Sequence, residues 1–176
     1  MTKITLGIIG GGQLGSMLAT AAKKLKIKTI IFSDDSNSPG QIFSDEFVSG
    51  DYNDLSKIKE FTSKVDLITF EFENIPYETL KKLNDLKKVI PTPKINKIIQ
   101  NRLTEKDFIN NLNIKTTEYK LIENIEDIKK NSNLIPGILK TCTLGYDGKG
   151  QYKINNLDEI QNLKIDFQKK YILEKL

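Results

Sequence analysis

The chain opens on an apolar run, ITLGIIG at residues 4 to 10, which passes without a break into GGGQLG at 10 to 15. Such a run reads as a strand buried on both faces, as in a parallel sheet. The glycines that follow permit a tight turn and a close approach of the next element. From Gln13 to about Lys26, Leu14, Met17, Leu18, Ala21, Ala22 and Leu25 recur at helical spacing. Next come a strand in KTIIFSDD, turn chemistry in SNSPG and a third strand in EFVSGD. LSKIKEFTSKV reads as a helix with Leu55, Ile58, Phe61 and Val65 on one face, LITFEFE as a fourth strand, and Pro76 opens a helix to about Leu86. Strands alternating with helices imply right-handed crossovers and a parallel sheet. Residues 1 to about 92 are therefore expected to form a Rossmann-like α/β domain.

After VIPTP the pattern changes. Thr92 and Pro93 resemble an N-cap and first-turn pair, followed by one long helix through INKIIQNRLTEKDFINNLN. A strand TTEYKLI, a helix IEDIKK, a strand PGILKTC, a glycine-rich loop, a strand GQYKI, a helix LDEIQNLK and a last strand YILEKL complete the sequence. Two strands joined by the glycine loop make a hairpin, so residues 93 to 176 are expected to be an α+β unit. The sequence runs out inside a strand pattern with no polar tail, and is read as the front part of something longer.

Composition narrows the chemistry. The 176 residues contain no histidine and one cysteine, Cys142. A Ser-His-Asp or Cys-His mechanism and an internal disulfide are excluded within the chain, and zinc lacks its usual ligands. Cys142 lies in an apolar stretch and reads as a packed thiol. No apolar run reaches membrane-span length and the N-terminus does not read as a signal peptide, so a cytoplasmic location is expected. The net charge is +4, but the lysines are dispersed and form no basic stripe with interleaved aromatics, so a nucleic-acid partner is not expected. Arg102 is the only arginine.

Four features point to ligands. Gly10-x-Gly12-x-x-Gly15, with Asp34 at the end of the next strand, has the parts of a dinucleotide fingerprint. The same glycines also suit another anion at a helix N-terminus, or close packing alone. The second feature is GYDGKGQ at 145 to 151. It is not a Walker loop, because Lys149 precedes Gly150 and the loop joins two strands. It resembles the glycine-rich flap that kinases fold over phosphates, and Lys140 on the preceding strand is placed to reach them. Third, Glu71 and Glu73 end the fourth strand, at the edge where parallel sheets bind ligands. Fourth, Arg102 offers a fork-shaped donor matched to phosphate.

Together, GGGQLG, EFENI, NRLTEK, LKTCTLGYDGKGQ and ILEK resemble the N5-carboxyaminoimidazole ribonucleotide synthetases of purine biosynthesis, which are ATP-grasp ligases. The resemblance runs through the whole chain. It implies a Rossmann-like pre-ATP-grasp domain over 1–92 and the beginning of an ATP-grasp domain over 93–176. It implies carboxylation of 5-aminoimidazole ribonucleotide with ATP and bicarbonate, through carboxyphosphate. Arg102, Lys140, Gly145, Tyr146, Asp147, Gly148, Lys149, Gly150 and Gln151 would meet ATP, and Glu174, Lys175 and Leu176 would begin the adenine hinge. Gly12, Gln13, Leu14 and Glu73, with Tyr146, Asp147 and Lys149, would meet the aminoimidazole substrate. Magnesium would bridge the phosphates, but the family's metal ligands lie beyond residue 176. No metal site is therefore expected within this chain, and the 176 residues alone are expected to be inactive. A homodimer is the expected assembly. The alternatives are an NAD(P)-dependent oxidoreductase and a non-catalytic nucleotide-binding fragment.

Overall fold

The computed structural model describes residues 4–145 and 150–176. They fall into two compact units, Met1–Lys97 and Ile98–Leu176. The first unit is a parallel sheet of β1 (Thr5–Ile9), β2 (Lys28–Ser33), β3 (Glu46–Ser49) and β4 (Leu67–Phe70), in the order β3-β2-β1-β4. Val89 adds a single parallel bridge to Ile68. The helices are α1 (Gln13–Lys24), a short α2 (Gly40–Phe43) not foreseen from the sequence, α3 (Leu55–Ser63) and α4 (Tyr77–Leu86). Strand alternation divides the core between the two faces of the sheet. Ile9, Ile30, Phe32, Ile68, Phe61 and Leu80 form the larger cluster, on the side of α3 and α4. Ile8, Ile31 and Ala19 form the smaller one, beneath α1.

The face that α1 buries differs from the sequence expectation. Its buried residues are Gly15, Ser16, Ala19 and Ala22, whereas Leu14, Met17 and Leu25 are 58%, 59% and 73% exposed. Small side chains win the inner face because the helix lies close against the sheet. A Cβ on Gly15 would run into the carbonyl oxygen of Gly10. Across the sheet, a Cβ on Gly7 would stand 2.5 Å from the ring tip of Phe61, so β1 leaves a slot for that ring.

The second unit is an antiparallel sheet of β5 (Tyr119–Ile122), β6 (Gly137–Thr141), β7 (Gln151–Ile154) and β8 (Tyr171–Lys175), in the order β5-β8-β6-β7. β6 and β7 form the expected hairpin, with Lys140 opposite Gln151, while the last strand of the sequence inserts between β5 and β6. Ile122, Ile128, Leu139, Ile154, Tyr171 and Leu173 fill the core with α7 (Ile125–Lys130). LDEIQNLK gives a 3₁₀ turn at Leu157–Asn162 in place of a regular helix.

The long helix expected from residue 95 is two helices, α5 (Pro93–Ile99) and α6 (Arg102–Asn111). Asn101 makes the break. Its side-chain oxygen accepts the N–H groups of Leu103 and Thr104, at 2.9 and 3.5 Å, and starts a new helix. Asn offers the backbone this alternative to a continuing helix. The Arg102 N–H leaves the helical ladder and donates to the Cys142 carbonyl at 2.8 Å.

The third glycine of the fingerprint is thus fixed by packing. Gly15→Ala is expected to cost about 2 kcal/mol or more, as overpacking against backbone does. Gly12→Ala, whose Cβ would meet nothing nearer than Glu71 at 3.8 Å, is expected to stay within about 0.5 kcal/mol. Urea unfolding of the two variants checks both values.

Candidate functional site

In the first unit the strand order reverses direction at β1, which opens a crevice beyond the carboxyl ends of β1 and β4. Gly10 makes the turn with φ at +101°, and its N–H donates to the Phe32 carbonyl at 2.9 Å. Helix α1 begins after Gly12 with no side-chain cap of its own. Glu71, the first residue after β4, fills that place. Its Oε1 lies 3.0, 3.8 and 3.4 Å from the positions that side chains on Gly10, Gly12 and Gly15 would take. Burial pushes the Glu71 pKa up, while the Gly15 amide nearby pulls it down. The crevice is a cavity of about 210 Å³ that Asp34, Ser38, Tyr52 and Phe72 also line. Ser38 Oγ is buried there without a hydrogen-bond partner among the described residues. Burial, and then the nearby Asp34 carboxylate, push the Tyr52 phenol far above its usual range. Asp34, Tyr52 and Phe72 also line a second cavity of about 410 Å³, together with Asp51, Asn53 and Asn74.

The substrate residues expected from sequence do not all reach this crevice. Gly12 lines it. Gln13 lines a separate groove of about 420 Å³ with Met17 and Phe43, and Leu14 is exposed on α1. Glu73 is exposed two residues beyond Glu71. Both carboxylates lie beyond β4, which ends at Phe70, so no strand alternation places them on one side.

In the second unit, Lys140 and Glu174 share the sheet face opposite the core residues Leu139 and Leu173. Lys140 Nζ is 2.6 Å from Glu174 Oε2, and Lys106 Nζ is 3.3 Å from Glu174 Oε1. The three side chains are 19%, 15% and 10% exposed for Lys140, Lys106 and Glu174. Lys106 also stands 5.4 Å from the centre of the Tyr119 ring. Arg102 Nη2 donates to the Gly145 carbonyl at 3.1 Å. Two ammonium ions share one carboxylate, with a guanidinium at the base of the glycine loop. The surplus is positive, which suits polyphosphate. Lys106 was missed from sequence among so many lysines. The available signal was its spacing from Arg102, since residues four apart share a helix face.

Gly150 adopts φ +71° and its carbonyl accepts the Thr141 N–H at 2.9 Å, while Gln151 is exposed. Tyr146, Asp147, Gly148 and Lys149 lie outside the described residues. Glu174, expected to begin the adenine hinge, contributes a buried side chain to the basic cluster. The Lys175 N–H donates to the Glu118 carbonyl and the Leu176 N–H to the Pro136 carbonyl, so both amides are engaged within the unit.

The ribonucleotide synthetase preATP-grasp domain model matches residues 1–100, and the ATP-grasp domain model matches residues 107–176. The chain belongs to the ribonucleotide synthetase preATP-grasp family. The family's architecture of a parallel preATP-grasp sheet followed by ATP-grasp elements is the one observed. The chain is 40% identical over 159 residues to the N5-carboxyaminoimidazole ribonucleotide synthase of Brucella melitensis, covering 89% of this chain and 44% of that one. It is similar to the crystal structure of the Staphylococcus aureus N5-carboxyaminoimidazole synthetase complexed with ADP, with a TM-score of 0.89 and 34% identity over 98% of this chain and 47% of that one. The Thermus thermophilus N5-carboxyaminoimidazole ribonucleotide synthetase structure gives a TM-score of 0.85 at 29% identity, over 97% of this chain and 46% of that one. The chain spans less than half the length of these synthase relatives.

Among the described residues no three His, Cys, Asp or Glu side chains group closely enough to hold a metal ion. Glu174, the acidic member of the basic cluster, is already engaged by two lysines. Among the described residues no helix is long and apolar enough to cross a membrane.

Removing the shared carboxylate leaves two half-desolvated ammonium ions facing each other. Glu174→Gln is expected to destabilise the chain by about 3 kcal/mol, and Lys106→Met by clearly less, measured by urea unfolding. Burial raises the Cys142 thiol pKa, with Lys170 and Arg102 opposing. The thiolate is the reactive form, so iodoacetamide at pH 8 should label Cys142 at least ~10-fold more slowly in the folded chain than in urea.

Proposed function

We propose that this chain supplies the preATP-grasp domain and the leading part of the ATP-grasp domain of a ligase that carboxylates 5-aminoimidazole ribonucleotide. ATP transfers its γ-phosphoryl group to a bicarbonate oxygen, releasing ADP and forming carboxyphosphate. The exocyclic amine of the ribonucleotide then attacks the carboxyl carbon, and phosphate leaves. The product is N5-carboxyaminoimidazole ribonucleotide.

The observation that carries the reading is the set of cations in the ATP-grasp unit: Lys106 and Lys140 flank the Glu174 carboxylate, and Arg102 donates to the Gly145 carbonyl at the start of the glycine loop. Charge of this sign, held before any ligand arrives, stabilises phosphates without reorganising during the reaction. Arg102 presents a planar fork suited to two phosphate oxygens, and Lys140 a compact point charge. In this reading Gly145 to Gln151 cover the phosphates and keep water from carboxyphosphate, which hydrolysis would waste. Glu174, Lys175 and Leu176 lead toward the adenine, with Glu174 fixing the lysines. Gly12, Gln13, Leu14 and Glu73, with Tyr146, Asp147 and Lys149 from the loop, remain the residues proposed for the aminoimidazole substrate. Phosphoryl transfer of this kind asks positioning and charge of the protein, so the absence of histidine is no obstacle. No step is assigned to magnesium on the residues of this chain. A homodimer in the cytoplasm completes the reading, on the family resemblance.

Calorimetric titration tests the nucleotide site. ADP should bind, and Lys140→Ala or Arg102→Ala should each weaken it about tenfold or more, the loss expected for one charge-assisted contact. The 176 residues alone should form no ADP. In the polypeptide as its cell makes it, ADP formation should require bicarbonate and aminoimidazole ribonucleotide together. ATP hydrolysis indifferent to the ribonucleotide would sink the proposal.

A further inference from the structure

The glycine turn of the first unit is built like a phosphate site, yet a carboxylate stands in it. Three conditions for anion binding are met: a turn of glycines after β1, the start of a helix of twelve residues, and no side-chain cap from Gly12. In a Rossmann-type unit an anion would meet the amides at the start of α1 from the crevice. Glu71 Oε1 holds that position, 3.0 and 3.4 Å from where side chains on Gly10 and Gly15 would stand. It arrives from β4, across the switch point, and not from the helix itself, whose first turn contains no acidic residue. The rest of the crevice carries the same sign, with Asp34 and Asp35 in its wall. Ser38, 5% exposed, points an unpartnered hydroxyl into the same wall, among the described residues. A phosphate entering here would have to displace one carboxylate and pass two more.

We propose that Glu71 is a specificity-determining residue: its carboxylate occupies the anion position of the glycine turn, so that this Rossmann-like unit refuses phosphate where its fold would otherwise bind it. The inference concerns the first unit alone and does not depend on what the second unit binds.

The test is a titration of the ¹⁵N-labelled chain with inorganic pyrophosphate, followed by NMR. The amides of Gly12, Gln13, Leu14 and Gly15 report on the turn, and those of Lys140 and Gly145 report separately on the basic cluster. In the unsubstituted chain the turn amides should not shift, whatever happens at the cluster. In Glu71→Ala they should shift saturably, with affinity at least tenfold tighter. Glu71→Gln keeps the volume and removes the charge, and should show a smaller gain of the same kind. Turn amides that titrate alike with and without Glu71, or that stay silent in a folded Glu71→Ala, would overturn the proposal. If Glu71→Ala loses its spectral dispersion, Glu71→Gln decides: no gain there overturns it equally. Failure of the cluster amides to respond would count only against the nucleotide reading.

Discussion

One carboxylate between two ammonium ions organises the second unit. Glu174 sits on the central strand pair of an antiparallel sheet and holds Lys140 from β6 and Lys106 from α6. Burying any one of these charges alone would be costly, and the three are tolerable only together. The arrangement ties a helix to the sheet by charge, on the face that the core does not use. It also leaves the face with more positive than negative charge, which is of use only if an anion comes to rest there. Stability and the proposed nucleotide site therefore rest on the same atoms.

The first unit solves a related problem with the opposite sign. Its helix α1 starts without a side-chain cap at the mouth of a crevice, and the Glu71 carboxylate stands beside that turn from just beyond a neighbouring strand. Burial makes the ionised carboxylate less comfortable than it would be in water, as the upward pKa shift records. A neutral side chain would fill the same space at less cost. Retaining a charge there points to selection of what enters the crevice, a role that packing does not require.

Much of this was legible in the sequence. Uninterrupted apolar runs gave β1 and β2 because both faces of these strands are covered, and the change from alternating strand and helix to hairpin grammar is the change from a parallel to an antiparallel sheet. The misses have physical causes. Leu14, Met17 and Leu25 mark a helical period, but close approach to the sheet handed the inner face to Gly15, Ala19 and Ala22. Asn101 looked like an ordinary polar residue in a long helix, and only its side-chain bonds to Leu103 and Thr104 show it to be a start signal. For the sites, Arg102 and Lys140 stood out by type and place. Lys106 was hidden by abundance, since its distinction lies in Glu174, a partner that the chain brings from 68 residues away. Glu71 and Glu73 are alike on paper, and the end of β4 at Phe70 decides which one turns inward.

The slot that Gly7 leaves for Phe61 has a wider consequence. The ring occupies the volume that a side chain on β1 would have taken, so the two positions hold one quantity of matter between them. Neither can grow without the other shrinking, because dense interiors leave no slack for both. Over generations such a pair drifts as a single character: a larger residue at position 7 becomes admissible only in a background where position 61 has already given up its ring. The order of substitutions, and not merely their identity, is written into the spacing between one strand and one helix.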